Sequence, residues 1–185
     1  KGPELTFGSL VRSIDPRGKE SIASYVDREL SNSAATWDEL VWLRGIWKGP
    51  LIVKGILTAE DAKEALRRGA DGIIVSNHGG RQLDSCPASI DALTHVVDAV
   101  GGRAEVFMDG SIRRGSDVVK AKALGANAVF VGRPWFWGLA VGGQEGVERM
   151  LEVFSDEIDR TLALLGSPDF ETVDSSKIWA HEENL

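Results

Sequence analysis

The sequence has few cysteines, no long apolar run and no excess of positive charge, and each shortage excludes a class of protein. One cysteine in 185 residues rules out an intrachain disulfide framework and indicates a reducing compartment. No apolar run reaches ~18 residues and no signal peptide opens the chain, so we predict no membrane span. A formal net charge of −7 argues against a broad nucleic-acid footprint. We therefore expect a cytoplasmic protein, with peroxisomal location or membrane association left open.

The residues that are present describe an ordinary globular sequence. Hydrophobic residues make up 43% of the chain and charged residues 26%, which is typical of a protein with one buried core. The chain opens with Lys1-Gly2-Pro3 rather than with methionine, so we expect an internal piece or a processed product. Residues 1–35 are rich in serine, glycine and charge and are predicted to be an irregular loop segment.

A short apolar strand followed by a helix recurs four times after residue 50. The strands are predicted at residues 51–53, 72–76, 106–108 and 128–131. The helices between them are predicted at residues 58–68, 87–100 and 116–124, with Ser116 as the cap of the last, and a fourth helix begins behind Pro134. The apolar runs do not alternate with polar residues, so we expect parallel strands with helices covering both faces.

Two further helices flank the repeat. Thr36 and Glu39 form a capping box for a helix that runs to Trp47, and residues 145–165 have apolar side chains at helical spacing. A (β/α)8 barrel needs eight strands, and this chain supplies four. We therefore predict an α/β fold over residues 36–168: the C-terminal half of a TIM barrel, about strands five to eight. Residues 169–185 are predicted to be a C-terminal tail.

Polar residues follow all four predicted strands, where α/β folds place their ligand sites. Lys54 follows the first strand, and a histidine and an arginine three residues apart, His78 and Arg81, follow the second. Arg113 and Arg133 come after the third and fourth strands in an otherwise acidic chain. A base beside a cation that can bind a carboxylate, and a phosphate-type site, indicate a cofactor enzyme acting on a small acid.

The ordered motifs resemble one family of flavoenzymes. They are Leu-Ile-Val-Lys-Gly at residues 51–55, Ser-Asn-His-Gly-Gly-Arg-Gln-Leu-Asp at 76–84, Met-Asp-Gly-Ser-Ile-Arg-Arg-Gly-Ser-Asp at 108–117 and Gly-Arg-Pro at 132–134. The set is similar to the FMN-dependent 2-hydroxy-acid oxidase/dehydrogenase family, which includes glycolate and lactate oxidases, lactate monooxygenase, mandelate dehydrogenase and flavocytochrome b2. The resemblance covers about residues 36–168 and implies oxidation of an L-2-hydroxy acid to the 2-oxo acid, with FMN as cofactor and oxygen or another molecule as electron acceptor.

The resemblance also assigns roles to the residues that would carry the reaction. His78 is the catalytic base, because imidazole exchanges protons near neutral pH. It takes a proton from the substrate hydroxyl or from the α-carbon, and the sequence does not choose between them. Arg81 holds the substrate carboxylate through paired hydrogen bonds. Lys54 lies at the pyrimidine end of the flavin and stabilises negative charge on the reduced ring.

The remaining assigned residues bind FMN. Ser76 contacts the flavin, and Asp109 binds the ribityl hydroxyls, since a carboxylate cannot hold a phosphate. Backbone N–H groups next to small residues, together with full positive charges, suit a phosphate. The resemblance places the phosphate end at Gly110, Ser111, Ile112, Arg113, Gly132 and Arg133. We assign no metal site.

Several family features have no counterpart in this sequence. The family uses tyrosines, an aspartate that pairs with the catalytic histidine, and a second arginine, yet Tyr25 is the only tyrosine here. We therefore expect the N-terminal half of the same barrel as a partner, and a homo-oligomer, with a tetramer implied by the family. Two alternatives stay open: another FMN- or phosphate-binding barrel, such as an isopentenyl-diphosphate isomerase or a dihydroorotate dehydrogenase-like protein, or an inactive half-barrel assembly module.

Overall fold

The structure is a computed structural model that describes residues 35–179. The predicted loop segment before Ala35, and residues 180–185 of the predicted tail, lie outside the described residues. The chain divides into two units, residues 1–39 and residues 40–185. The described part of the first unit is residues 35–39, where Thr36 Oγ1 donates a hydrogen bond of 2.8 Å to Glu39 Oε2. The capping residues of the predicted first helix are therefore in contact.

The second unit is a four-stranded parallel sheet whose strands alternate with helices along the chain. The strands are β1 (Ile52–Ile56), β2 (Gly72–Val75), β3 (Glu105–Met108) and β4 (Ala128–Val129), adjacent in that order. The helices are α1 (Trp37–Ile46), which begins in the first unit, α2 (Ala59–Arg67), α3 (Ser89–Val100), α4 (Gly115–Ala123) and α5 (Arg133–Leu165). The predicted βα repeat is confirmed, although β4 has two of its four predicted residues and β1 continues past residue 53.

The helices cover one face of the sheet rather than both. When strands follow one another in chain order and every crossover is right-handed, all the crossover helices lie on the same side. Ile73 and Met108 are buried beneath that helical layer, at 0% and 1% exposed. On the opposite face, Ile52 and Phe130 are 44% and 48% exposed. The expectation of helices on both faces was wrong, because the second face points to the interior of a barrel, where it would pack against other strands.

The ends of α2 and α4 show how local sequence fixes the helices. Thr58 Oγ1 accepts a hydrogen bond of 3.1 Å from the N–H of Asp61 and caps α2, as predicted. The start of α4 differs from the prediction, because Gly115 is already helical and Ser116 is not the cap. Asp117 Oδ2 instead accepts from the N–H groups of Arg113 and Arg114, at 3.0 and 3.2 Å.

Helix α5 is broken near its first third. Gly142 and Gly143 have non-helical backbone angles and divide it into residues 133–141 and 144–165. The second part contains the predicted outer helix and packs on α4. Gly115 allows the two to approach closely, because a Cβ atom there would lie 2.5 Å from the carbonyl oxygen of Phe154.

The chain beyond α5 also packs on this outer layer. Val173 and Leu162 are buried with two residues of α4 in one apolar cluster that consists of Val119, Ala123, Leu162 and Val173. Lys122 pairs with Glu171 at 2.9 Å, which fastens the start of the tail to α4. Within residues 35–179, no helix combines the length and the apolar character needed to cross a membrane.

Candidate flavin and substrate site

Lys54 joins the carboxyl ends of three adjacent strands. Its Nζ lies 2.9 Å from Ser76 Oγ and 3.0 Å from Asp109 Oδ2, so β1, β2 and β3 meet at one cation. The pairing of β1 with β2 shifts between Lys54 and Ile56, which leaves Gly55 as the extra residue of a β-bulge. The structure thus brings together three residues that were predicted to bind FMN.

Ser76 connects this cation to the loop that carries the predicted base. The side chain is fully buried at 0% exposed, and its Oγ accepts a second hydrogen bond from the N–H of His78 at 3.1 Å. His78 has φ of 55°, the left-handed conformation that non-glycine residues rarely adopt, and it begins a 3₁₀ turn at residues 78–80. A non-glycine residue stays in such a conformation only where its surroundings hold it.

Asn77 supplies much of that support and was given no role in the sequence analysis. Its Oδ1 accepts a 3.0 Å hydrogen bond from the N–H of Gly79, and its Nδ2 donates to the carbonyl of Pro87 at 3.2 Å. Its own N–H donates to the hydroxyl of Ser89, which is buried at the start of α3, at 3.1 Å. Asn77 therefore ties both ends of the loop together. An asparagine side chain often bonds to the backbone two residues further on, and this turn signal could have identified Asn77.

The imidazole of His78 lies against the bulge in β1. A Cβ atom built on Gly55 would lie 2.8 Å from His78 Cε1, and the next two nearest atoms belong to the same ring. Gly55 has φ of 103°, so the bulge both needs glycine and presents a bare backbone to the ring. The ring of the predicted base thus lies beside Gly55, the residue that follows Lys54 in β1.

Three of the predicted cations are open to ligands. Arg81, Arg113 and Arg133 are exposed, and within the part of the chain that the structure describes their guanidinium groups form no hydrogen bond or ion pair. Arg113 and Arg133 follow the neighbouring strands β3 and β4. Exposed guanidinium groups beside strand ends are suited to anionic ligands such as carboxylates and phosphates.

The backbone next to Arg133 is open, and the backbone shortly before Arg113 has left-handed φ angles. Gly110 and Ser111 have φ of 97° and 58°, and a Cβ atom on Gly132 would meet nothing within 4 Å. The side chain of Ile112 is buried, at 4% exposed, so only its backbone is suited to contact a cofactor.

A buried oxygen of Asp109, which lacks a hydrogen-bond donor in the described part of the chain, bears on whether these residues are suited to FMN. Asp109 Oδ1 is buried and has no hydrogen-bond partner among residues 35–179, whereas Oδ2 is paired with Lys54. A buried acceptor without a donor is costly, and a ligand hydroxyl would satisfy it. The ribityl chain of FMN carries such hydroxyls, so the residues fit the group. In the same range, no group of three or more His, Cys, Asp or Glu side chains is arranged to hold a metal ion.

The chain belongs to the FMN-dependent dehydrogenase family, whose sequence profile matches residues 6–180. It is 47% identical over 170 residues to 2-hydroxyacid oxidase 1 of Mus musculus, covering 90% of this chain and 46% of that protein. It is 49% identical over 159 residues to L-lactate oxidase of Nostoc sp., covering 86% of this chain and 43% of that protein. The family match is longer than residues 36–168, on which the motif resemblance rests.

Solved structures support the same assignment. The monotopic membrane protein (S)-mandelate dehydrogenase superimposes with a TM-score of 0.80 at 43% identity, covering 86% of this chain and 42% of that one. Mandelate oxidase with (S)-2-phenylpropionate gives 0.72 at 47% identity, covering 75% and 42%. This chain spans less than half the length of these relatives. The fold is therefore part of a TIM barrel, as predicted, and FMN is the cofactor of its family.

Proposed function

We propose that this chain is the C-terminal half of an FMN-dependent enzyme that oxidises an L-2-hydroxy acid to the 2-oxo acid. The observation that carries the proposal is the loop after β2, where His78 and Arg81 lie three residues apart and the backbone of His78 is bonded to Ser76, the partner of Lys54. The names of relatives that share about half of its residues, hydroxyacid oxidase and lactate oxidase, support the same substrate class.

His78 and Arg81 divide the work on the substrate. The guanidinium of Arg81 binds the carboxylate through two parallel hydrogen bonds, which fixes the α-carbon next to the loop. The imidazole of His78 takes the proton, from the hydroxyl or from the α-carbon. The N–H of His78 bonds to Ser76 Oγ and the N–H of Gly79 bonds to Asn77 Oδ1, so the backbone of the loop that carries the base is fixed before the substrate arrives.

The remaining site residues hold the cofactor. Held by these residues, FMN would supply the acceptor for the two electrons of the oxidation, with oxygen or another molecule as the final acceptor. Lys54 supplies positive charge where the ring becomes negative, and Ser76 and Asp109 provide a hydroxyl and a buried carboxylate oxygen. Arg113, Arg133 and the backbones of Gly110, Ser111, Ile112 and Gly132 bind the phosphate.

The partner we propose is the N-terminal half of the same barrel. Within residues 35–179, the outer edges of β1 and β4 pair with no further strand, and Ile52 and Phe130 leave the inner face apolar and exposed. Four more parallel strands would pair with both edges and cover that face. We propose that the complete protein is a cytoplasmic homo-oligomer.

Flavin uptake and reduction test the proposal directly. The chain is prepared alone and together with a chain that supplies the four missing βα units, and each preparation is incubated with FMN. We expect a yellow assembly whose flavin is bleached anaerobically by an L-2-hydroxy acid, and a colourless, inactive chain when it is alone. An assembly that is folded but colourless would support the inactive-module alternative. One that binds FMN but ignores 2-hydroxy acids would support a different flavin barrel.

A further inference from the structure

The support of the His78 side chain comes from a different strand than its backbone. Ser76 and Asn77 hold the main chain of residues 78 and 79 through hydrogen bonds of 3.1 and 3.0 Å. Neither of these bonds touches the imidazole, so the ring needs another surface to fix its position. That surface is the backbone of Gly55 in β1, 23 positions earlier in the sequence.

We infer that Gly55 is a positioning residue for the catalytic base. Because Gly55 has no side chain, the imidazole of His78 packs against its backbone. The nearest three atoms to a Cβ built on Gly55 are Cε1, Nδ1 and Nε2 of that ring, at 2.8, 3.7 and 3.7 Å. No other side chain is as close to this position. The inference rests on the proposed function, in which His78 is the base.

The bulge explains why this contact with the imidazole lies at this point of the strand. Lys54 pairs with Ile74 and Ile56 pairs with Val75, so Gly55 has no partner of its own in β2. A bulge redirects the residues around it and is often found next to active sites. Here it places Lys54 toward Ser76 and Asp109 while the following residue receives the imidazole. One irregularity in β1 therefore sets the spacing between the flavin-binding cation and the base.

Adding one methyl group should displace the ring, and it also strains the backbone at φ of 103°, a cost that the control variant has to match. The imidazole is the free end of a rotatable side chain, so it turns away from a Cβ at 2.8 Å more readily than a backbone atom would. A displacement of about 1 Å in a reacting group costs about 100-fold in rate. Arg81 has no contact with Gly55, so binding of the substrate carboxylate should be preserved.

Gly125 offers a closely matched control. It has φ of 99° against 103° for Gly55, and a Cβ there would lie 2.7 Å from Cγ1 of Val97, again the end of a side chain. It lies in the turn between α4 and β4, before the strand, at the opposite end of the sheet from the site. Gly125→Ala therefore introduces a similar backbone conflict, together with a collision against the stiffer side chain of Val97, without touching His78.

The experiment compares Gly55→Ala, Gly125→Ala and the parent in the FMN-loaded assembly. For Gly55→Ala we expect at least ~100-fold slower anaerobic flavin reduction at saturating substrate, a KM within about threefold of the parent and unchanged FMN content. The imidazole NMR signals of His78, assigned by their loss in His78→Gln, should shift in Gly55→Ala and stay in place in Gly125→Ala.

Two results would overturn the inference: flavin reduction in Gly55→Ala as fast as in Gly125→Ala, or His78 signals that do not move. If the parent assembly itself fails to reduce its flavin with 2-hydroxy acids, the proposed function is wrong. In that case the NMR signals still show whether Gly55 positions the His78 ring, so the two failures are distinguishable.

Discussion

The two ends of the sheet use the same kinds of residue in opposite ways. At the amino end, Asp71 Oδ2 accepts from the N–H of Leu51 and from Arg44 Nη1, both at 2.8 Å, and Asn127 Oδ1 accepts from the N–H of Val106 at 2.8 Å. At the carboxyl end, a buried oxygen of Asp109 has no partner among the described residues. Several arginines there are likewise unpaired within residues 35–179, namely Arg81, Arg113 and Arg133. Polar groups that are satisfied internally hold the fold together, and those that are not indicate where a ligand binds.

The largest effect that tests this contrast is expected at His78. His78→Gln should slow flavin reduction by a 2-hydroxy acid by ~10²–10⁴-fold, because general-base catalysis contributes about that much, and should leave FMN bound. Anaerobic stopped-flow bleaching of the assembled protein measures the rate. His95→Gln is the control, since His95 is an exposed residue of α3. A variant that bleaches at the parent rate would remove His78 from the mechanism.

Loss of one cation at the carboxyl end of the sheet should weaken the binding of FMN. Arg133→Ala is expected to reduce FMN affinity by ~1.5–3 kcal/mol, the usual contribution of a hydrogen bond to a charged group. Fluorescence titration of the apo-assembly with FMN gives the dissociation constant. Arg160→Ala, an exposed arginine on the outer part of α5, should leave it unchanged. Equal affinity in the two variants would contradict the phosphate assignment.

At the amino end, the same kind of substitution should affect folding and not the flavin. Asn127→Ala removes the acceptor for the N–H of Val106, a residue only 3% exposed. An unsatisfied buried donor costs ~1–3 kcal/mol, so the free energy of unfolding should fall by about that amount. Urea unfolding of the assembly measures it. A fall in FMN affinity without a loss of stability would contradict the view that polar groups at the amino end of the sheet serve folding.

Acid should lower the stability of the fold through Asp71, at the amino end of the sheet. The hydrogen bond from the N–H of Leu51, followed by the contact with Arg44, lowers the pKa of Asp71. A carboxyl group whose pKa is lowered on folding stabilises the fold above its unfolded value, about 3.9, and this stabilisation is lost as the pH falls through the lower folded value. The urea midpoint should therefore drop between about pH 5 and pH 2, and less steeply in Asp71→Asn. Identical slopes would show that Asp71 does not contribute.

The sequence named most residues of the candidate site because each strand end carries its own short signal. Lys54, His78 and Arg133 come within three residues of the end of an apolar run, and the order of these runs predicted the βα repeat. The support beneath His78 escaped prediction, because the contact between Gly55 and the imidazole joins residues on two strands and leaves no mark in local spacing. The one-sided helical layer was missed for a similar reason: both faces of the sheet are apolar, so composition alone does not tell a barrel interior from a helix-covered face.

The exposed inner face of this sheet also has a consequence for how the whole protein is made. In the complete barrel that we propose, the other half would lack its partner strands until β4, at residues 128–129, has been made. Until that strand leaves the ribosome, the proposed first half would have nothing to cover its apolar face or to pair with its edges. Such a nascent chain is prone to aggregation and is a substrate for chaperones. We expect newly made protein to depend on chaperones for longer than its final stability would indicate.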